Sequence, residues 1–164
     1  MKRSVLQFVI LIVTAMLVAS PVSAYHGDVA DAYAKQFAPV KGPKAGKYLG
    51  KMKPQQFVDG VKGGKEFITL DIRTPGETKF FTGNLPGHLV IPLSKLFERN
   101  QLNRLPTDKP IVVICQTGVR AVAAVTALRY TGFENTYFLA GGFKGLSTYM
   151  GAPQANKPLK AKAK

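Results

Sequence analysis

The stretch Ile111-Val112-Val113-Ile114-Cys115-Gln116-Thr117-Gly118-Val119-Arg120, followed by Ala121-Val122-Ala123-Ala124-Val125, decides how this chain is read. Four consecutive branched apolar residues are the pattern of a strand buried on both faces, as strands of parallel sheets are. A short loop with one glycine comes next, then an alanine-rich helical pattern. Cys115, the only cysteine of the chain, therefore sits at a strand-to-loop junction. There it meets backbone N–H groups and the positive end of the next helix, which favour thiolate over thiol. The thiolate is the nucleophile. A lone free cysteine is ordinarily a small buried hydrophobe. The turn behind Cys115 and the cation of Arg120 argue here for a reactive thiol.

The rest of the chain repeats the alternation. Pro54 suits the first turn of a helix carrying Phe57, Val58 and Val61, stopped by Gly63-Gly64. Phe67 to Leu70 reads as a buried strand ending at Asp71, with a loop from Arg73 to Glu77 behind it. Gly83 to His88 is rich in turn residues, Val90-Ile91 is a short strand, and Leu93, Leu96 and Phe97 line a helix. Beyond the Cys115 loop, Val122, Val125 and Leu128 to Tyr130 share a helix that Gly132 ends. Thr136 to Leu139 is another strand, and Gly141-Gly142 open a last helix with Phe143, Leu146 and Tyr149. Strands alternating with helices imply an α/β fold, a mostly parallel central sheet with helices on both faces. Sites in such sheets form at the carboxyl ends of strands. Cys115 and Asp71 both fall there.

The first 24 residues have the pattern of a cleavable signal peptide. Lys2 and Arg3 are the charged start, Val5 to Val18 the apolar middle, and Val22-Ser23-Ala24 a small-residue cleavage site before Tyr25. The apolar run is shorter than the ~18 residues that argue a membrane span, so no stable span is expected after removal. An exported and, in a bacterium, periplasmic protein is the expectation. Residues 25–47 read as an extension and linker, with Asp28 capping a short helix through Val29, Tyr33 and Phe37, and with Lys41 to Gly46 as the linker. Residues 48–151 form the domain. Residues 152–164 are a basic tail, expected to be disordered.

Twenty-three basic residues against nine acidic ones give a net charge of +14, falling to +12 when Lys2 and Arg3 leave with the signal. Such a field attracts anions and speeds their encounter. The basic residues are spread out and no nucleic-acid motif is present, so nucleic acid is not the expected partner. The tail lysines Lys157, Lys160, Lys162 and Lys164 are a candidate contact for an anionic surface or a protein partner. One cysteine cannot form an internal disulfide, and an odd cysteine in an exported chain points to intermolecular pairing or a reactive thiol.

Four segments between about Met52 and Met150 together resemble the single-domain rhodanese family. Leu70 to Glu77 is similar to its opening D-x-R box, Gly83 to Pro92 to its G-H-x-P-G-A-x-x-x-P segment, Cys115 to Arg120 to its six-residue active loop, and Gly132-Phe133 with Leu139 to Gly142 to its closing G-F…L-x-G-G segment. The departures are Asn84 for the usual His, His88 for the usual Ala, and Leu146 where a tryptophan is common.

The resemblance implies a sulfurtransferase. Cys115 attacks the outer sulfur of a small anionic donor such as thiosulfate, holds it as a persulfide, and yields it to a thiol or cyanide, in two covalent steps. The loop amides of Gln116, Thr117, Gly118, Val119 and Arg120 are expected to cradle the anionic sulfur, with Arg120 as a cation for an anionic donor. Asp71 and Arg73 are expected to support the loop rather than react. His88 is expected at the surface or in a hydrogen bond, with approach to the site as the alternative, and Arg129 on a solvated helix face. This chemistry needs no metal or cofactor, and His26 lacks the neighbours of a metal ligand. Phosphatases on related folds place five residues between Cys and Arg, whereas four lie between Cys115 and Arg120. A non-catalytic sulfur carrier, or a module that acts through its tail alone, are the rival readings.

Overall fold

Ile111–Ile114 form β4 (Ile111–Ile114) at the centre of a five-stranded parallel sheet. The computed structural model describes residues 24–157, and the described chain falls into two compact units divided between Lys35 and Gln36. In the first unit begins α1 (Gly27–Phe37), which carries Asp28 inside its first turn rather than as its cap.

The second unit holds the sheet. A turn of 3₁₀ helix at Gly42–Lys44 and α2 (Ala45–Tyr48) stand where composition predicts a plain linker. Then come β1 (Lys51–Met52), α3 (Pro54–Lys62), β2 (Ile68–Asp71), α4 (Pro75–Phe80) and β3 (His88–Val90). Short helices α5 (Leu93–Leu96) and α6 (Arg99–Leu102) lead to β4. α7 (Val119–Tyr130), β5 (Thr136–Leu139), α8 (Gly142–Tyr149) and α9 (Ala152–Ala155) complete it. The strand order is β1-β5-β4-β2-β3. Every pairing is parallel, with Asp71 opposite Ile114 and Val113 opposite Phe138.

β4 alternates between two cores because successive strand residues point to opposite faces. Ile111 and Val113 join Leu70, Ile72, Ile91 and Leu96 against Ala121, Ala124, Val125 and Leu128 of α7. Val112 and Ile114 join Leu139 against Phe57 and Val58 of α3 and Phe143 and Leu146 of α8. Helices thus cover both faces, and the chain is α/β as its periodicity predicts.

Three local expectations change. The two-residue β1 carries no sequence signal; it forms because Phe138 N–H donates to Gly50 O and Ala140 N–H to Met52 O. Arg129 is not on a solvated face. Its guanidinium donates to the Thr136 carbonyl from Nε and Nη2, at 3.2 and 2.6 Å, and to the Tyr48 carbonyl from Nη1 at 2.6 Å. Burial pulls its pKa below the usual guanidinium value. The basic tail starts ordered: α9 occupies Ala152–Ala155, and Lys62 Nζ donates to the carbonyls of Gln154 and Lys157. Residues 158–164 and the signal segment 1–23 lie outside the described residues. Among the described residues no helix is long and apolar enough to cross a membrane.

Candidate active site

The parallel sheet brings the carboxyl ends of β2, β4 and β5 to one edge, where Asp71, Cys115 and Ala140 follow one another across neighbouring strands. Cys115 keeps the alternation of Ile111 and Val113, so its side chain turns into the core under α7. It is 0 % exposed. The sequence predicts a reactive sulfur cradled by loop amides; the structure shows it roofed over by its own loop. Gln116, Thr117 and Val119, which follow it in the chain, are exposed, and the N–H of Gly118 closes back to donate to Sγ at 3.1 Å. The same two-residue period that marks the strand buries the thiol.

Two glycines make the roof possible. Gly118 caps the start of α7 at φ +100°, in the left-handed region that side chains avoid. Gly142, at φ +58°, lets the start of α8 pack onto the loop; a Cβ there would run into Cys115 O and Gly118 N. Phe143 N–H then donates to Cys115 O at 2.8 Å and Lys144 N–H to Gln116 O at 3.1 Å. The pattern Gly141-Gly142 was visible in the sequence as a helix start, and only the tertiary contact gives Gly142 its place in the site.

Arg120 is not a free cation. Its Nη1 and Nη2 donate to Glu77 Oε2 and Oε1 at 3.0 and 2.7 Å, a bidentate pair with both side chains about one-third exposed or less. The hydrogen bonds of Arg120 hold the Glu77 carboxyl down to about 2, helped by the Thr74 backbone N–H. Glu77 in turn raises the Arg120 pKa above its usual value, and Cys115 adds a smaller pull of the same sign. Glu77 was placed in a loop by sequence. It lies instead in α4, which starts with a capping box: Thr74 N–H donates to Glu77 Oε2 and Glu77 N–H to Thr74 Oγ1. The spacing Thr74-Pro75-Gly76-Glu77 is the signal that finds this helix.

Asp71 and Arg73 are both buried and paired behind the loop. Arg73 donates from its backbone N and Nε to Oδ1 at 3.0 Å each, and from Nη2 to Oδ2 at 2.7 Å. The guanidinium lies 4.0 Å from the centre of the Phe143 ring, whose other neighbour is Phe81 in an edge-on contact. Phe143 is thus held on one side by a buried cation while its own N–H fixes the Cys115 carbonyl. His88 stands on β3 with Nε2 buried, without a hydrogen bond, 3.8 Å from Asp71 Oδ2.

Thr117 borders a shallow groove of about 650 Å³ whose walls include Lys53, Gln55, Lys144 and Tyr149. A larger cleft of about 730 Å³ beside Lys51, Gln56 and Tyr137 shares Lys53 with this groove and touches none of Asp71, Arg73, Glu77, Cys115 or Arg120. Among the described residues no three His, Cys, Asp or Glu side chains gather as metal ligands would.

The sequence model of the Rhodanese-like domain family matches residues 53–148, more than half of the chain. The chain belongs to this family. The rhodanese-like domain is 43 % identical over 82 residues to the uncharacterized protein YqhL of Bacillus subtilis, a match that covers 50 % of this chain and 62 % of that one. It is 30 % identical over 78 residues to a protein of Allochromatium vinosum named sulfurtransferase, covering 48 % of this chain and 69 % of that one. Among solved structures, a rhodanese-related protein of Thermoplasma volcanium superposes with a TM-score of 0.50 at 26 % identity, over 60 % of this chain and 91 % of that one. The rhodanese-like fold is thereby established for residues 53–148, which include the whole Cys115 loop, and the chain has homologues named sulfurtransferase, while it spans less than two thirds of the length of YqhL.

Proposed function

We propose that this chain moves sulfane sulfur from a thiosulfate-like donor to a thiol or cyanide acceptor through a persulfide on Cys115. The observation that carries the reading is the closed Cys115–Arg120 loop, with the Gly118 amide on Sγ and the charge of Arg120 beside it. In the first step the Cys115 thiolate attacks the outer sulfur of thiosulfate. The donor's S–S bond breaks, sulfite leaves with the electron pair, and Cys115 keeps an anionic disulfanide. In the second step cyanide attacks the outer sulfur, leaves as thiocyanate, and the bonding pair returns to Cys115. Both steps conserve charge and need no general base. The Gly118 N–H that donates to Sγ stabilises the sulfur anion. The four-residue spacing between Cys115 and Arg120 supports a sulfur site over a phosphate site.

The burial of Cys115 and the occupied fork of Arg120 favour one second reading, a carrier that loads sulfur but does not turn it over alone. Mass spectrometry separates the two. Thiosulfate is expected to add one sulfur, about 32 Da, at Cys115, and cyanide to release it repeatedly as thiocyanate. An adduct without turnover supports the carrier. No adduct, with phosphatase activity lost in Cys115→Ser, overturns both. The charged start, apolar run and small-residue site before Tyr25 support export of the mature chain; a protein isolated from its host with Met1 still attached overturns that part.

A further inference from the structure

Around the Cys115 loop the surface carries apolar side chains that a small anionic donor has no use for. Phe80 is 93 % exposed, Val119 76 % and Phe81 57 %. Large apolar side chains left in water in a cluster mark an interaction surface. Each of the three stands near the loop, in sequence or through a neighbour. Val119 opens α7 directly behind Gly118. Phe80 lies three residues beyond Glu77, on the α4 face that Glu77 turns toward Arg120. Phe81 packs edge-on against Phe143, whose N–H holds the Cys115 carbonyl.

Positive charge stands on the same helix as Phe80 and on the groove beside Thr117. Lys79 precedes Phe80 and is exposed; Lys53 and Lys144 are exposed on the groove that borders Thr117. The acid of this neighbourhood, Glu77, is neutralised by Arg120. An apolar centre with a charged rim is the anatomy of a protein interface. The basic rim and the chain's net charge of +14 select an acidic partner and speed its encounter.

We propose that this face docks an acidic protein which presents a cysteine thiol as the sulfur acceptor. Phe80, Phe81 and Val119 form the contact centre, and Lys53, Lys79 and Lys144 the rim. The inference rests on the sulfur-transfer reading and names its acceptor. The partner's thiol attacks the outer sulfur of the Cys115 persulfide; the Cys115 S–S bond breaks, its electron pair returns to Cys115, and the partner leaves as the persulfide. No electrons are gained or lost overall.

The test uses the full mature chain loaded with thiosulfate, and two synthetic nonapeptides with a central cysteine flanked by phenylalanine and by either glutamates or lysines. Each transfer rate is divided by that peptide's rate with a neutral aromatic disulfide, which removes differences in thiol reactivity. The acidic peptide is expected to take sulfur at least about tenfold faster at low salt, an advantage that shrinks in high salt. Lys53→Glu with Lys79→Glu and Lys144→Glu is expected to reverse the preference. Phe80→Ser, at a position too exposed to affect folding, is expected to slow the acidic peptide about threefold or more and leave transfer to cyanide unchanged. Equal normalised rates for the two peptides, or a Phe80→Ser variant as fast as the parent, overturn the docking surface while sulfur loading stands. No persulfide on Cys115 in the parent overturns the sulfur-transfer reading and this inference together.

Discussion

Glu77 and Arg120 close the active loop as a two-pronged ion pair, 43 residues apart in sequence and 2.7 Å apart at their nearest atoms. The pair ties α4 to the start of α7 and shares the guanidinium that an anionic donor would otherwise meet alone. In Glu77→Gln the cation beside the sulfur loses its counter-charge. The expected outcome is a KM for thiosulfate lowered about threefold or more. Arg120→Ala, which leaves a carboxylate facing the donor, is expected to raise it at least about tenfold. Steady-state kinetics with thiosulfate and cyanide measure both, and equal KM values across the three proteins exclude any part for the pair in donor binding.

The same pair sets a pH dependence. The folded Glu77 carboxyl is held at about 2, below the ~4.3 of an unfolded chain. A depressed carboxylate contributes stability above the unfolded value, and loses it as pH falls through the folded one. The parent is therefore expected to melt above Glu77→Gln at pH 6, with the gap narrowing steadily from pH 5 to pH 2.5. Thermal unfolding of both proteins across that range is the measurement. A gap that does not change with pH would show that the Glu77 carboxyl is not held below its unfolded value.

Gly142→Ala places a methyl group against Cys115 O and Gly118 N, at a φ that alanine resists. The loop and the start of α8 cannot both stay where they are. A destabilisation of about 3 kcal/mol is expected from strain and overlap combined, together with loss of sulfur transfer. Gly64→Ala, equally left-handed but with open space around it, is the control and is expected to cost only about 1 kcal/mol. Chemical denaturation of the two variants decides.

Asp71→Ala leaves the Arg73 guanidinium buried with its carboxylate gone. Removing one partner of a buried pair costs about 3–5 kcal/mol, and the effect is expected to reach the site through Phe143. Asp71→Ala with Arg73→Leu removes both charges and is expected to recover much of the stability. A double-mutant cycle with little coupling would remove the pair from the architecture of the site.

The buried thiol of Cys115 predicts slow, size-selective modification by thiol reagents. Sγ is fully buried, so a reagent reaches it only when the Cys115–Arg120 loop opens locally. Methyl methanethiosulfonate is expected to react at least about tenfold faster, relative to free cysteine, than a bulky maleimide does. Equal relative rates for the two reagents would show an open sulfur.

The sequence alone determined the α/β alternation, the central strands of the sheet and the place of Cys115 at the end of one of them. The run Ile111–Ile114 states its own burial on both faces, Thr136–Leu139 does the same, and Pro54 and the glycine pairs mark helix limits by backbone chemistry that acts within a few residues. The loop from Cys115 to Arg120 is contiguous, so its residue types and spacing are legible directly. The capping box at Thr74 and Glu77 was legible too, though its helix was read as a loop. The tertiary structure decided the rest. The partner of Arg120, the reason for Gly142 and the clamp of Arg129 on Tyr48 and Thr136 are contacts between distant segments, and a side chain carries no local mark of which distant group it will meet. Even the exposure of Cys115 was settled there. Its residue type supplies the sulfur, while the pleat of β4 and the packing of α8 onto the loop fix how deep that sulfur lies.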